Sequence, residues 1–244
     1  MLPVEGILDR VTERLDAFSG ARDAEPRQRT LRATLEWSYD LLSPQEQRLF
    51  ARLAVLSGGC TLEAAEAVCD AELDLVAALV DKSLLRRTGD RYWQLETIRE
   101  YATELLRASD EEDELRRRHA DHFLEVAERR EPALHGRGQA EAIAHLEAEH
   151  DNLRAALDLY LERGAAEVLR LATSLWMFWL VRSHLGEGHR RLVDALAVAA
   201  VEHPDRAWAE LGASALAQRS GDVDEADRLL DAAIASGRAQ ATPP

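Results

Sequence analysis

The residues with the most chemical potential are the histidines and their acidic neighbours. His119 and His122 lie three apart, and Glu147 with His150 makes a Glu-x-x-His step, a spacing that places both side chains on one helix face. Di-iron bundles use that step twice, and here it occurs once. The surrounding His145-Leu-Glu-Ala-Glu-His150 sets its two histidines one residue too far apart for the His-Glu-x-x-His of zinc proteases. A metal centre needs three or four converging ligands, so the expectation is solvated or capping histidines and no metal.

Nucleophilic chemistry is no better supplied. No Gly-x-Ser-x-Gly elbow occurs, and the two cysteines, Cys60 and Cys69, are too few for a disulfide framework. Both read as small buried side chains. A phosphate-cradling loop requires GxxxxGK[ST], but Lys82, the one lysine, sits in Val80-Asp-Lys-Ser-Leu-Leu85 with no glycine shortly before it. Catalysis is therefore not expected, nor is nucleotide binding through a P-loop of this chain.

The elements that would position these residues are mostly helical. The 244 residues are 46% hydrophobic, enough for a sizeable core, and carry a formal charge of −15, which opposes contact with nucleic-acid phosphates. No stretch approaches the ~20 apolar residues of a membrane span, and Met1-Leu-Pro-Val-Glu5 has no basic region leading into an apolar one, so a cytoplasmic location is expected.

Apolar steps of three and four predict two short helices across Leu31–Leu42 and Leu49–Leu56. A third, capped by Thr61, should run to about Cys69, and a fourth should bury Leu75, Val76, Leu79 and Val80. The period changes at Leu84. Leu84–Arg87, a Thr88-Gly-Asp90 turn and Arg91–Leu95 predict a hairpin, the one convincing piece of β-structure, before helical spacing resumes at Ile98. Helices, a two-stranded wing and a closing helix are the order of a winged-helix domain.

Beyond the acidic Ser109–Asp113 stretch, about six further helices are expected, beginning near Leu115, Gln139, Ala165, Leu185, Asp205 and Val223. Small residues at Ser214, Ala217, Gly221, Ala226 and Ala233 give the last pair a tetratricopeptide-like look, and an α-solenoid is predicted. The expected fold class is thus mainly α, a winged helix with one β-hairpin followed by an α-α repeat solenoid. Its boundaries are 1–28 for the helical end of another module, 29–109 for the winged helix, 110–238 for the repeats, and 239–244 for a disordered tail.

Three motifs carry a family resemblance. Leu35–Gly59 (LEWSYDLLSPQEQRLFARLAVLSGG), LETIREYA from Leu95 to Ala102, and LEAEHDNLRAAL from Leu146 to Leu157 together resemble the winged-helix and helical-repeat region of signal-transduction ATPases with numerous domains. That class contains NB-ARC proteins and bacterial regulators of the LuxR and antibiotic-pathway types. Leu2–Phe18 is similar to the last helical piece of the preceding nucleotide-binding module.

The resemblance implies a regulator in which a P-loop module binds ATP or ADP, the winged helix packs against it, and the repeats receive a protein partner or an inducer. Cofactor binding would fall to that absent upstream module. The family's nucleotide-sensing motif aligns with Gln94-Leu95-Glu96, where Leu95 cannot make the phosphate contact of the family's histidine, and its plain reading is a strand leucine filling the core beneath the wing.

Two surfaces remain as interaction candidates. Trp176, Phe178 and Trp179, with Met177 between them, point all round a helix, so at least one should face outward to a ligand surface. In a DNA-binding reading, Leu73–Ser83 would enter the major groove while Arg86, Arg87 and Arg91 touched phosphates. Asp74 and Asp81 on that helix oppose it. A coupling segment of a regulator is the primary expectation; a DNA-binding repressor, a standalone helical adaptor and a fragment of a split gene stay open.

Overall fold

The computed structural model describes residues 26–241, so the expectations for Leu2–Phe18, and for the end of the chain past Ala241, lie outside the described residues. Two compact units divide between Arg48 and Leu49.

In the first unit, α1 (Pro26–Asp40) precedes the start of α2 (Pro44–Arg52). Ser43 and Glu46 form a reciprocal cap: the Ser43 amide donates to Glu46 Oε2 at 2.7 Å and the Glu46 amide to Ser43 Oγ at 3.3 Å. Pro44 occupies the first helical position, where its missing N–H costs nothing.

The second unit continues α2 through a 3₁₀ turn (Leu53–Val55), then β1 (Cys60–Thr61), α3 (Leu62–Cys69), α4 (Leu73–Asp81), β2 (Arg86–Thr88), β3 (Arg91–Trp93) and α5 (Glu96–Arg107). Thr61 caps α3 as its sequence position predicts, its Oγ1 accepting from the Ala64 amide at 3.2 Å. The hairpin turns at Gly89-Asp90, with Gly89 at φ +63°. The hairpin is not all of the sheet: β1 pairs antiparallel with β3, Cys60 opposite Tyr92, giving the order β1-β3-β2. Two residues are too short a run for alternation to reveal, which is why β1 escapes a reading by period.

Seven helices follow among the described residues, one more than expected: α6 (Glu112–Leu134), α7 (Gln139–Ala148), α8 (His150–Glu162), α9 (Glu167–Arg182), α10 (Leu185–Val198), α11 (Arg206–Ser220) and α12 (Val223–Ala241). The extra one arises because the segment from Gln139 breaks at Glu149, which ends α7 and begins α8. The tail expected from Ala239 is still helical to Ala241.

Contacts run between neighbours (α9 with α10, α10 with α11, α11 with α12) and between alternate helices (α6 with α8, α9 with α11), as in a stack of helical hairpins. At the last crossing Ser214, Ala217, Ala226 and Ala233 are buried, and Ser214 Oγ donates to the Ala226 carbonyl at 2.7 Å. The boundary expected after Ser109 lies inside this second unit. Arg52 bridges it, holding Glu111 at 2.7 Å and Asp70 at 2.7 Å, while Arg118 of α6 also grips Asp70 at 2.7 Å. The fold is mainly helical with one small three-stranded sheet, and no helix among the described residues is long and apolar enough to cross a membrane.

Candidate functional site

Polar and aromatic groups from several elements come together in a hydrogen-bond network and in a groove. The first joins the sheet to the helices. Gly59 precedes β1 with φ +86°, and a Cβ there would stand 2.6 Å from the Tyr92 carbonyl oxygen, so both backbone angle and space demand glycine.

The carbonyl of Gly59 accepts from Arg91 Nη2 at 3.1 Å and from Asn152 Nδ2 at 3.0 Å. Arg91 also grips both oxygens of Glu149, the Nη2–Oε2 contact measuring 3.2 Å. Asn152 Nδ2 closes the ring on Glu149 Oε2 at 2.8 Å, and Asn152 Oδ1 meets His119 Nε2 at 3.1 Å.

Hydrogen-bond chemistry sets the protons in this network. The Asn152 amide nitrogen faces a carbonyl and a carboxylate, both acceptors, so Oδ1 is left to accept and His119 must carry its proton on Nε2. His119, Glu149 and Asn152 are all buried. Burial is the main cause that pushes the His119 pKa down to about 4, outweighing the hydrogen bond to Asn152, so the ring is neutral at neutral pH.

His119 is therefore an interior hub and not the solvated histidine expected. Cys60 lies beside this network as a buried free thiol raised to about 12, chiefly by desolvation, and Cys69 is likewise buried, free and raised. Neither carries thiolate character.

Arg91 is thus withdrawn from the phosphate role considered for it, because its guanidinium is held by Glu149 and Gly59. Arg86 and Arg87 stay exposed on β2, lying 5.6 Å from the Trp93 ring and 5.7 Å from the Tyr92 ring respectively. The exposed positions of α4 include Leu73, Asp74, Ala77 and Asp81, a face without Arg, Lys, Asn or Gln and with two carboxylates that phosphates would repel.

At the sensor-motif positions, β3 ends at Trp93, so Leu95 is not a strand residue. It is half-buried at the N-terminus of α5, where its carbonyl accepts from Ile98 and Arg99 at 2.8 Å each. Gln94 is buried and donates to the Phe50 carbonyl at 3.1 Å; Glu96 is exposed and pairs with Arg99. Gln94 and Glu96 border a cleft of about 320 Å³ that Leu95 does not line.

The second place is a groove of about 660 Å³ lined by α6, α9 and α11. Trp176 and Met177 lie on its floor, Trp208 on its α11 side, and Glu128, Glu131, His135, Arg170 and Asp205 surround them. Trp208 is 59% exposed. Of the aromatic run, only Trp176 reaches this surface.

Phe178 and Trp179 are fully buried and cannot meet a partner, which corrects their selection. Helices approach closely here: Gly188 of α10 comes so near Trp179 that a Cβ would stand 2.8 Å from its Cβ, while Trp176, which meets Gly212 of α11 at 2.9 Å in the same sense, stays half-buried at the groove. Arg170 is held by Glu128 at 2.6 Å and His135 hydrogen-bonds Glu131 at 2.8 Å, so each basic side chain already has an acidic partner, and Asp205 adds negative charge. Thr173 Oγ1, also at the groove, is buried with no hydrogen-bond partner. Period and composition pointed to Trp176 but not to Trp208 or His135, which only the stacking of alternate helices brings beside it.

No protein-family profile matches the chain. A Mycobacterium tuberculosis (strain H37Rv) protein named as an HTH-type transcriptional regulator is 42% identical over 181 residues, covering 69% of this chain and 20% of its own length, and a Mycobacterium bovis protein so named matches equally. An uncharacterized M. tuberculosis protein is 37% identical over 134 residues, covering 50% of this chain and 34% of its own length. Among solved structures, a signal transduction ATPase with numerous domains bearing a tetratricopeptide repeat sensor, from Pyrococcus horikoshii, covers 82% of this chain and 33% of its own at a TM-score of 0.41 and 14% identity. The chain spans about a fifth of the length of the regulators it matches at 42% identity.

Proposed function

We propose that this chain is a non-catalytic, cytoplasmic coupling segment of a signal-transducing transcriptional regulator, in which a winged helix is fastened to a tetratricopeptide-like sensor. The order of elements from α2 to α5, with the three strands pairing as β1-β3-β2, supports the winged-helix assignment. The names of the 42%-identical relatives support the regulatory role.

One observation carries the coupling: the Gly59, Arg91, Glu149, Asn152 and His119 network ties the sheet to two repeat helices through mutually satisfied polar groups, all buried but the half-buried Arg91. Such a network tolerates one arrangement well and displaced ones poorly, because each lost partner leaves a buried group unpaired. A shift in the repeats would therefore be felt in the wing. The groove at Trp176 and Trp208 is the sensor surface in this reading, taking an apolar anchor from a protein partner or inducer within an acidic rim. ATP or ADP would be held by a separate P-loop module with which the winged helix communicates.

Hydrogen exchange on the whole chain and on Glu149→Gln tests the coupling. The expected result is lost amide protection both in β1–β3 and in the first turns of α8. Loss confined to one side would sink the reading. A gel-shift titration across salt tests the DNA-binding alternative that Arg86 and Arg87 keep open; absence of binding at low salt removes it.

A further inference from the structure

Away from the groove and the network, three donor side chains meet where the α7–α8 junction faces the α9–α10 turn. Glu147 lies in the last turn of α7, His150 opens α8, and His184 precedes α10 as its N-terminal cap position. The ligand atoms they offer all lie within 4.8 Å of one another. Both Nε2 atoms, of His150 and of His184, are shielded from solvent and lack any hydrogen-bond partner.

The nearest carboxylate oxygens, Glu147 Oε2 at 3.8 Å from His184 and Glu187 Oε1 at 3.7 Å from His150, are too distant for hydrogen bonds. Two buried nitrogens of this kind on neighbouring rings, 4.7 Å apart and both flanked by Phe178, want a common partner.

We infer that Glu147, His150 and His184 form a binding site for a borderline divalent cation of the zinc class. Two imidazoles and one carboxylate are a ligand set that suits such an ion and discriminates against calcium and magnesium, which take oxygen cages. Bonds of about 2.0 to 2.1 Å in a tetrahedron place donor atoms about 3.3 Å apart, so the side chains need close by only about 1.5 Å. Water would complete the coordination.

Arg182 donates to Glu147 Oε2 at 2.7 Å, and Arg154 holds Glu187 at 2.6 Å. Each carboxylate is thereby oriented by a guanidinium, and Glu147 retains a second oxygen for the cation. Because the ligands come from three segments, the bound ion would pin the α7–α8 junction to the α9–α10 turn and stiffen the stack of repeats.

The test uses the whole chain, stripped with chelator and titrated with zinc chloride by calorimetry, with cobalt(II) absorption reporting coordination geometry. One equivalent per chain and a raised Tm are expected. His150→Gln and His184→Asn should each weaken affinity at least tenfold, while His122→Gln leaves it unchanged. Glu147→Gln, at a part-exposed position, removes a ligand without disturbing the two imidazole rings, and it too should weaken binding if circular dichroism shows an intact fold. No saturable binding, or binding unaffected by the changes at His150, His184 and Glu147, would overturn the assignment.

Discussion

Arg91 on β3 and Glu149 at the α7–α8 junction are paired through both terminal guanidinium nitrogens, with the Glu149 side chain only 4% exposed and Arg91 22%. A buried carboxylate so matched is sensitive to loss of its partner more than it is a source of net stability, since desolvation offsets much of the attraction.

Arg91→Ala should therefore destabilise the chain by about 3 kcal/mol, because Glu149 stays buried without its counter-charge. Arg91→Ala combined with Glu149→Ala should cost less than the sum of the single changes. Urea unfolding of the four proteins of this cycle measures it; strict additivity would mean that the pair does not couple the sheet to the α7–α8 junction.

Acid should loosen the same region through His119. Its folded pKa, about 4, lies below the 6.5 of the unfolded chain, so between those values the unfolded state binds the extra proton. The stability this neutral ring permits is present above about pH 6.5 and falls as pH drops toward 4, by at most about 3.5 kcal/mol at ~1.4 kcal/mol per unit. His119→Gln keeps a donor for Asn152 and should flatten the fall of unfolding free energy between pH 6.5 and 4.5. An unchanged slope would assign that acid sensitivity elsewhere.

Two glycines with positive φ should respond differently to alanine. At Gly89, φ +63° with open space, Gly89→Ala carries backbone strain alone, about 1 kcal/mol. At Gly59 the strain is joined by a 2.6 Å approach to the Tyr92 carbonyl, so Gly59→Ala should cost more than about 2 kcal/mol and disturb the β1–β3 pairing. Thermal unfolding of the two variants side by side decides this, and equal Tm losses would contradict it.

Two tryptophans, Trp179 of α9 and Trp208 of α11, should differ in what they contribute to stability. Trp179→Ala empties a site that is 1% exposed and should cost about 3 to 5 kcal/mol. Trp208→Ala, at a 59% exposed position, should change stability by less than about 1 kcal/mol while removing one wall of the groove. Denaturant midpoints of both variants test the contrast; comparable losses would place Trp208 in the core.

Much of the local structure was legible in the chain itself. Thr61 capping α3, Val76 and Leu79 facing inward on α4, the Gly89-Asp90 turn and the helix starts at Gln139, Leu185 and Val223 all follow from period and capping chemistry, which act within a few residues. The family motifs, too, were visible as residues: Glu149 and Asn152 both lie in the LEAEHDN stretch.

Tertiary structure alone decided what they do. Nothing near Glu149 in sequence announces that Arg91 will be its partner, or that a two-residue strand at Cys60 will complete the sheet beneath them. The same holds for Trp176 and Trp179, three residues apart on one helix, where packing against α10 and α11 leaves one at the groove and the other in the interior. Sequence specifies which face of each element is apolar because that depends on a repeat along the chain. Which polar groups meet depends on how faces of distant elements pack, and only the folded chain sets that.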